Sequence, residues 1–271
     1  MTLQEKTQSI RSAGRKGLAP FFTAGYPDED GFIELIKAAT RAGSDMIEIG
    51  IPFSDPIADG PVIQASSQRA LEQGMSLKKA LALTEKVSHI TSAALVLMGY
   101  LNPFLQMGID SFARHAKQAG ASGVIVPDLP FEESKEIRGK LGEQGLTLID
   151  LVAPTSSNER IAKMAGGFDG FLYLVSLTGV TGVRKSMEPN IKAFVNRVRA
   201  YTELPLYVGF GVSDKEMARE TVRHADGVIL GSALVKIINN VENRGQAIDN
   251  VEAFLSGVRA AIDSSDWSDR S

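Results

Sequence analysis

Eight short apolar runs, each followed by a longer amphipathic segment, constrain the fold of this chain more than any other feature. The runs are mostly continuous rather than alternating, which is typical of parallel strands buried on both faces. Because each predicted strand precedes a predicted helix, the pattern indicates an α/β fold, a (β/α)8 TIM barrel. The predicted strands are Leu18–Thr23, Asp45–Ile49, Ala93–Met98, Gly123–Val126, Thr147–Val152, Gly170–Val175, Leu206–Gly209 and Gly227–Leu230.

Helical signals fill the segments between these runs. The apolar residues from Phe32 to Ala39 fall on one helical face. Capping-box spacing predicts two helix starts, at the pairs Ser156 with Glu159 and Ser213 with Glu216. Glycines that directly precede a strand predict three helix ends, near Gly43, Gly120 and Gly145.

Two segments exceed the minimal barrel unit. Thr2–Arg11 predicts an extra N-terminal helix that closes the barrel bottom, and Gly60–His89 predicts more than one helix between strands 2 and 3. We expect a single domain over residues 1–271, with its core at about 18–262 and a polar tail at 263–271. A doubly wound sheet is the alternative, but the first strand runs into Thr23–Pro27, which is not its glycine-rich fingerprint.

Composition excludes several classes of protein. With 271 residues, 44% of them hydrophobic, the chain can bury one large core. A net charge of -3 does not provide the basic surface that nucleic-acid binding needs. The absence of cysteine excludes disulfides and thiolate chemistry. No signal peptide or membrane-spanning run is evident, so we expect a cytoplasmic protein.

Two carboxylates lie where a barrel places its chemistry, at the carboxyl ends of the strands. Glu48 lies inside the apolar second strand, where burial would raise its pKa and suit it to proton transfer. The alternative is a structural ion pair with a helix lysine or arginine. Asp59 follows a loop punctuated by prolines and precedes a helix start. It is either a substrate ligand or an N-cap.

The last two strands are followed by glycine turns that suit an anion. Gly209–Ser213 follows strand 7, and Gly231 with Ser232 follows strand 8 and opens a helix. Backbone N–H groups and the helix dipole bind phosphate at these loops in many barrels, although the glycines could also only relieve tight turns. After strand 6, the long connection from Ser176 to Pro189 predicts a mobile lid or an ordinary surface loop.

The string from Ile47 to Gln64 closely resembles the signature of the tryptophan synthase alpha subunit family. Further similar segments extend the resemblance from about residue 18 to residue 260: Pro20–Pro27, Val126–Pro130, Tyr173 with Gly179–Gly182, Gly209–Gly211, and Gly231 with Ser232. The resemblance implies a TIM-barrel lyase that splits indole-3-glycerol phosphate into indole and glyceraldehyde 3-phosphate.

The resemblance also implies roles for individual residues. Glu48 would be the catalytic acid/base, and Asp59 would hydrogen-bond the indole N–H and stabilise the positive charge that develops there. Tyr173 would line the site beside Glu48, and Thr181 would close over Asp59 with the lid. The phosphate would be held by Gly182, Gly211, Gly231 and Ser232. The indole pocket would be lined by Phe21, Met98, Ile125 and Phe210.

The resemblance further implies a partner, a beta subunit that carries pyridoxal phosphate and joins indole to serine in an alpha2-beta2 heterotetramer. Asp55, Pro56 and Asp128 would face that partner. This chain itself would hold no cofactor and no metal.

Three other functions stay open from the residues alone. A sugar-phosphate isomerase or epimerase would use the same phosphate site, but it leaves the string from Ile47 to Gly60 unexplained. A regulatory subunit would activate a partner with negligible catalysis of its own. A stand-alone lyase would release indole without a partner.

Overall fold

All strands of the structure are parallel and form one sheet. A computed structural model describes residues 2–166, 169–175, 188–209 and 211–264. The sheet order is β5-β4-β3-β2-β1-β9-β8-β7-β6, so β1 pairs with both β2 and β9. The strands are β1 Gly17–Thr23, β2 Met46–Gly50, β3 Ala94–Met98, β4 Ala121–Ile125, β5 Thr147–Ile149, β6 Leu151–Val152, β7 Leu172–Val175, β8 Leu206–Gly209 and β9 Gly227–Leu230.

The barrel closes through a divided strand. The run predicted as one strand, Thr147–Val152, forms β5 and β6, which only Asp150 separates. β5 pairs with β4, and β6 pairs with β7. Because the two ends of the sheet are consecutive pieces of chain, the sheet curls into a barrel. The predicted TIM barrel is confirmed, with its fifth strand in two parts.

Helices surround the barrel and follow the strands in order. They are α1 Leu3–Ser12, α2 Glu29–Arg41, α3 Pro61–Glu72, α4 Leu77–Ser88, α5 Leu101–Met107, α6 Ile109–Gln118, α7 Lys135–Glu143, α8 Asn158–Ala165, α9 Glu188–Arg199, α10 Lys215–Val222, α11 Ser232–Asn239 and α12 Arg244–Asp263. The predicted N-terminal helix is α1, and the predicted additional helix between strands 2 and 3 is the α3–α4 pair. In the described part of the chain, none of the helices has the length and apolar character to cross a membrane.

The helix ends match the sequence signals better than the helix starts do. Gly43, Gly120 and Gly145 all adopt positive φ just after α2, α6 and α7, as predicted. The two predicted capping boxes are wrong by one residue, because Ser157 caps α8 and Asp214 caps α10. The hydroxyl of Ser156 accepts a hydrogen bond from the N–H of Ala153, so the preceding turn already uses it.

Aromatic rings fill the barrel interior by lying over glycines of neighbouring strands. Tyr207 on β8 is 1% exposed and packs between the backbones of Gly17 and Gly227. A Cβ atom at Gly17 would lie 2.0 Å from the Tyr207 hydroxyl oxygen, and one at Gly227 would lie 2.3 Å from its ring. Only glycine therefore permits this packing at the lower end of the barrel.

Buried carboxylates anchor the lower end of the barrel. The side chain of Asp45 accepts a hydrogen bond from the N–H of Leu18 at 3.1 Å, which ties β2 to β1. The same carboxylate pairs with Arg259 of α12 at 2.9 Å and with Arg15 at 3.2 Å. Asp226 makes the same two kinds of contact. Its side chain accepts a hydrogen bond from the N–H of Leu206 on β8 and pairs with Arg199 of α9. These contacts fasten outer helices to strand starts, away from the end where barrel chemistry occurs.

We expect Asp45→Ala to lower the free energy of unfolding by about 3 kcal/mol, because it leaves the Arg259 guanidinium buried without its inner partner. Urea unfolding followed by circular dichroism measures the change. The control is Glu252→Ala, which breaks a more exposed pair with Arg41 and should cost about 1 kcal/mol or less. Equal losses in the two variants would contradict an anchoring role for Asp45.

Candidate active site

Glu48 is a carboxyl group buried inside the barrel. It lies in the middle of β2, in register with Phe21 on β1 and Val96 on β3, and is 3% exposed. Its Oε1 atom has no hydrogen-bond partner, and no lysine or arginine in the described part of the chain pairs with Glu48. The structural ion pair considered from the sequence is therefore not found among those residues. Burial, and to a lesser extent the negative charge of Asp59, raises the pKa of Glu48 to about 8.

Asp59 lies in the connection between β2 and α3 and is partly buried. The N-cap of α3 is Gly60, so the N-cap interpretation of Asp59 is wrong. Backbone contacts hold Asp59, whose N–H donates to the carbonyl of Pro56 at 3.0 Å and whose carbonyl accepts from the side chain of Gln64 at 2.9 Å. Burial raises the pKa of Asp59 to about 6, and an interaction with the Tyr100 hydroxyl opposes that increase.

The two carboxyl groups differ in protonation near neutral pH. Glu48 stays largely protonated up to its pKa of about 8, whereas Asp59 is ionised above its pKa of about 6. Separated pKa values of this kind allow one group to donate a proton while the other stabilises a positive charge. The pair is therefore suited to acid/base chemistry on a substrate between pH 6 and 8.

Tyr173 on β7 lies close to both carboxyl groups. Its side chain is 4% exposed, and its ring packs over Gly209 on β8, where a Cβ atom would be 2.2 Å from the hydroxyl oxygen. Burial, followed by the negative charges of Glu48 and Asp59, raises the pKa of Tyr173 well above its ordinary value. Its hydroxyl therefore stays protonated beside the carboxyl groups.

An apolar wall continues from Glu48 across four strand ends. The Phe21 ring packs against Gly50, where a Cβ atom would be 2.4 Å from the ring. A Cβ atom at Gly231 would lie 3.6 Å from the Cβ atom of Phe21. Phe21 therefore lies between Glu48, with which it pairs in register, and the glycine turn after β9. Met98 and Ile125 are buried at the ends of β3 and β4 and pair in register. The wall suits a flat apolar ring.

Two glycine turns lie beyond this wall. Gly211 follows β8, is exposed and adopts φ +87°, a conformation that favours glycine. Gly231 is the N-cap of α11, and the exposed Ser232 is its first residue. The first N–H groups of a helix have no partner within the helix, so they and the helix dipole can bind an anion.

Comparison with known proteins identifies the family. A family profile described as "Tryptophan synthase alpha chain" matches residues 7–263. A relative of that name from Carboxydothermus hydrogenoformans is 48% identical over 250 residues, which cover 92% of this chain and 94% of the relative. Another from Thermoanaerobacter sp. (strain X514) is 42% identical over 260 residues, covering 96% and 99%. The crystal structure of tryptophan synthase subunit alpha from Legionella pneumophila str. Paris matches with a TM-score of 0.89 at 35% identity, covering 98% and 100%.

The chain belongs to the tryptophan synthase alpha chain family. Members of this family are lyases that cleave indole-3-glycerol phosphate, and they pair with a beta subunit. The family, the barrel class and the reaction predicted from the sequence are confirmed.

Some residues that the tryptophan synthase alpha resemblance assigned to the site cannot be placed. Thr181, Gly182 and Phe210 lie outside the described residues. Residues 176–187, most of the predicted lid, also lie outside them. The roles of these residues stay predictions.

The residues predicted to face the beta subunit lie in the loops that follow β2 and β4, two strands that β3 separates in the sheet. Asp55 is exposed and Pro56 partly buried in the loop that also carries Asp59, and Ile57 beside them is 82% exposed. Asp128 is partly buried, and its Oδ1 atom accepts a hydrogen bond from the N–H of Leu101 at 2.9 Å. Asp128 therefore supports the start of α5, whatever contact it makes with a partner.

Sequence reasoning missed Tyr100, which the structure places beside Asp59. Tyr100 is 3% exposed and follows β3 directly after Gly99. Its hydroxyl oxygen accepts a hydrogen bond from the N–H of Ala58 at 3.0 Å. The available signal was its position at the carboxyl end of a strand, where barrel sites form.

We expect Glu48→Gln to stabilise the fold in a pH-dependent way. The folded pKa of Glu48, about 8, lies above its ordinary value of 4.5, so the wild-type chain loses stability as pH rises from about 5 to 8, whereas glutamine does not ionise. The variant should unfold at similar denaturant concentration at pH 5 and be more stable by roughly 4 kcal/mol at pH 8, since each pH unit between the two pKa values corresponds to about 1.4 kcal/mol. Urea titrations at both pH values measure this. A gap that does not grow with pH would contradict the raised pKa.

Proposed function

We propose that this chain cleaves indole-3-glycerol phosphate to indole and glyceraldehyde 3-phosphate, with Glu48 as the acid/base and Asp59 as the acceptor of the indole N–H. The observation that carries the assignment is a buried carboxyl group with a free oxygen, Glu48, beside a carboxylate with a lower pKa, Asp59. The wall formed by Phe21, Met98 and Ile125 provides a place for the indole ring.

Cleavage begins with transfer of a proton from the Glu48 carboxylic acid to C3 of the indole ring. The ring nitrogen becomes positively charged, and the Asp59 carboxylate stabilises this charge through its hydrogen bond to the N–H. The protonated ring can then accept the electrons of the bond between C3 and the glycerol side chain.

The carbon–carbon bond breaks in the second step. The Glu48 carboxylate takes the proton of the hydroxyl group on the side-chain carbon attached to the ring, and that carbon becomes the aldehyde carbon of glyceraldehyde 3-phosphate. The electrons of the broken bond return to the ring and neutralise the nitrogen. Glu48 ends the cycle protonated, as it began. The scheme requires Glu48 protonated and Asp59 ionised, which both hold between their pKa values of about 6 and 8.

The phosphate group of the substrate is proposed to bind at the other end of the pocket. Gly211 is exposed, Gly231 is partly buried and lacks a side chain that would cover the start of α11, and the exposed Ser232 adds a hydroxyl there. Tyr173 lies beside Glu48, where a protonated hydroxyl can orient the substrate. Gly182, Thr181 and Phe210 complete the proposed binding set.

We also propose the cellular setting of the reaction. The chain works in the cytoplasm as part of an alpha2-beta2 heterotetramer, in which Asp55, Pro56 and Asp128 face the beta subunit. Indole passes to that subunit, whose pyridoxal phosphate supports the joining of indole to serine. The cleavage scheme given above uses side chains of this chain and calls on no cofactor of its own.

We expect Glu48→Gln and Asp59→Asn to reduce kcat for indole release by about 1,000-fold or more, because each removes a group whose charge or proton the scheme requires. Indole release from indole-3-glycerol phosphate is measured with and without a beta subunit. Glu252→Gln, a substitution on α12 away from the site, is the matched control and should leave kcat unchanged. Turnover retained in a folded Glu48→Gln chain would remove the acid/base assignment.

We expect Gly211→Asp to raise KM at least tenfold by setting a negative charge against the substrate phosphate. Because Gly211 adopts φ +87°, the substitution also strains the backbone, so Gly211→Asn provides the matched control of similar shape without charge. Steady-state kinetics of both variants separate the effects. Equal KM values for the two variants would mean that the phosphate binds elsewhere.

A further inference from the structure

Tyr100 contacts the loop that carries Asp59 at two points. We call residues Phe53–Asp59 the β2–α3 loop. The Tyr100 ring stacks on the ring of Phe53, with centroids 5.2 Å apart and planes inclined by 28°. Its hydroxyl oxygen accepts the hydrogen bond from the N–H of Ala58 at 3.0 Å. One side chain therefore binds both the beginning and the end of this loop.

The β2–α3 loop otherwise has little packing. Ser54, Asp55 and Ala58 are exposed, and Ile57 is 82% exposed, whereas Tyr100 is 3% exposed. A loop with few buried contacts samples several positions unless another element holds it. The buried ring of Tyr100 provides that support.

The Tyr100 hydroxyl also interacts with the side chain of Asp59. Because the oxygen accepts from the Ala58 N–H, the hydroxyl hydrogen is available for donation to the Asp59 carboxylate, an interaction that lowers the pKa of Asp59. The titratable groups that face Asp59 in the described part of the chain are Glu48 from β2, Tyr100 and Tyr173 from β7. Of these, Tyr100 is the side chain that lowers the pKa of Asp59.

The backbone around Tyr100 is fixed on both sides. The N–H of Gly99 donates to the carbonyl of Ile125 at 3.1 Å, and the N–H of Leu101 donates to Asp128 at 2.9 Å. Tyr100 is the N-cap residue of α5, but its side chain makes no capping hydrogen bond. The hydroxyl is thus committed to the β2–α3 loop and not to its own helix.

We propose that Tyr100 is a positioning residue for the cleavage reaction, whose hydroxyl holds the β2–α3 loop so that the Asp59 carboxylate lies where the indole N–H binds. This inference rests on the function proposed for Asp59. In this arrangement Tyr100 connects the β2–α3 loop to Asp128, because Asp128 accepts a hydrogen bond from the N–H of Leu101, the residue that follows Tyr100.

The test is Tyr100→Phe, which keeps the stacked ring and removes the hydroxyl. We expect kcat/KM for indole release to fall between tenfold and 100-fold. We also expect the acidic limb of the pH profile to move to higher pH, because the hydroxyl lowers the pKa of Asp59 and its removal lets that pKa rise. Tyr26→Phe is the matched control, since it removes another buried hydroxyl, which donates to Asn239 on α11, and it should move neither quantity.

The outcomes separate this proposal from the function on which it rests. A Tyr100→Phe chain within twofold of wild-type kcat/KM, beside an inactive Asp59→Asn chain, overturns the positioning role alone. A loss of activity with an unmoved acidic limb shows a merely structural effect and also overturns it. An active Asp59→Asn chain overturns the role of Asp59 itself. Urea unfolding of Tyr100→Phe checks that the variant is folded.

Discussion

The chemistry proposed for this barrel depends on burying one carboxyl group, Glu48, without a cation beside it in the described part of the chain. Burial disfavours the charged form, so the group keeps its proton at a pH where an exposed glutamate has lost it. A surface carboxylate could not protonate a carbon atom of an indole ring near neutral pH. The parallel barrel provides this environment, because alternate residues of every strand point into a closed interior.

The interior around Glu48 is shaped by aromatic rings packed against glycines. Tyr207 fills the lower end of the barrel over Gly17 and Gly227, and Tyr173 lies above it over Gly209. Each ring occupies the space that a side chain on the next strand would otherwise take. Tyr207 thus occupies the lower end of the barrel, and Tyr173 lies nearer to Glu48 at the carboxyl ends of the strands.

Much of the fold follows from local sequence patterns. Continuous apolar runs located the strands to within about two residues, and glycines such as Gly43 marked the helix ends because they adopt positive φ. The division of the fifth strand at Asp150 was not predicted. Asp150 pairs with Arg138 of α7, and a contact with another element cannot be seen in the apolar run itself. The start of α8 was misplaced because the preceding turn uses the hydroxyl of Ser156.

The candidate site could be predicted in part. The string around Glu48 and Asp59 made the two carboxyl groups candidates through its resemblance to a family, while local spacing alone left an ion pair and an N-cap open. The structure removes the N-cap reading, because Gly60 occupies that position. Tyr100 escaped prediction because its contact with Ala58 joins residues 42 positions apart, and no local pattern encodes such a contact.

The pairing of Asp45 with Arg259 limits the order in which parts of the chain can fold during synthesis. Asp45 belongs to the first quarter of the sequence, whereas Arg259 lies on the last helix, α12, which packs against α2, α10 and α11. During synthesis the early strands emerge long before that helix, so a carboxylate destined for burial lacks its inner cation until translation is nearly complete. Domains generally fold as units as they leave the ribosome. For this barrel, the lower end of the first strands can reach its final form only once the last helix has been released.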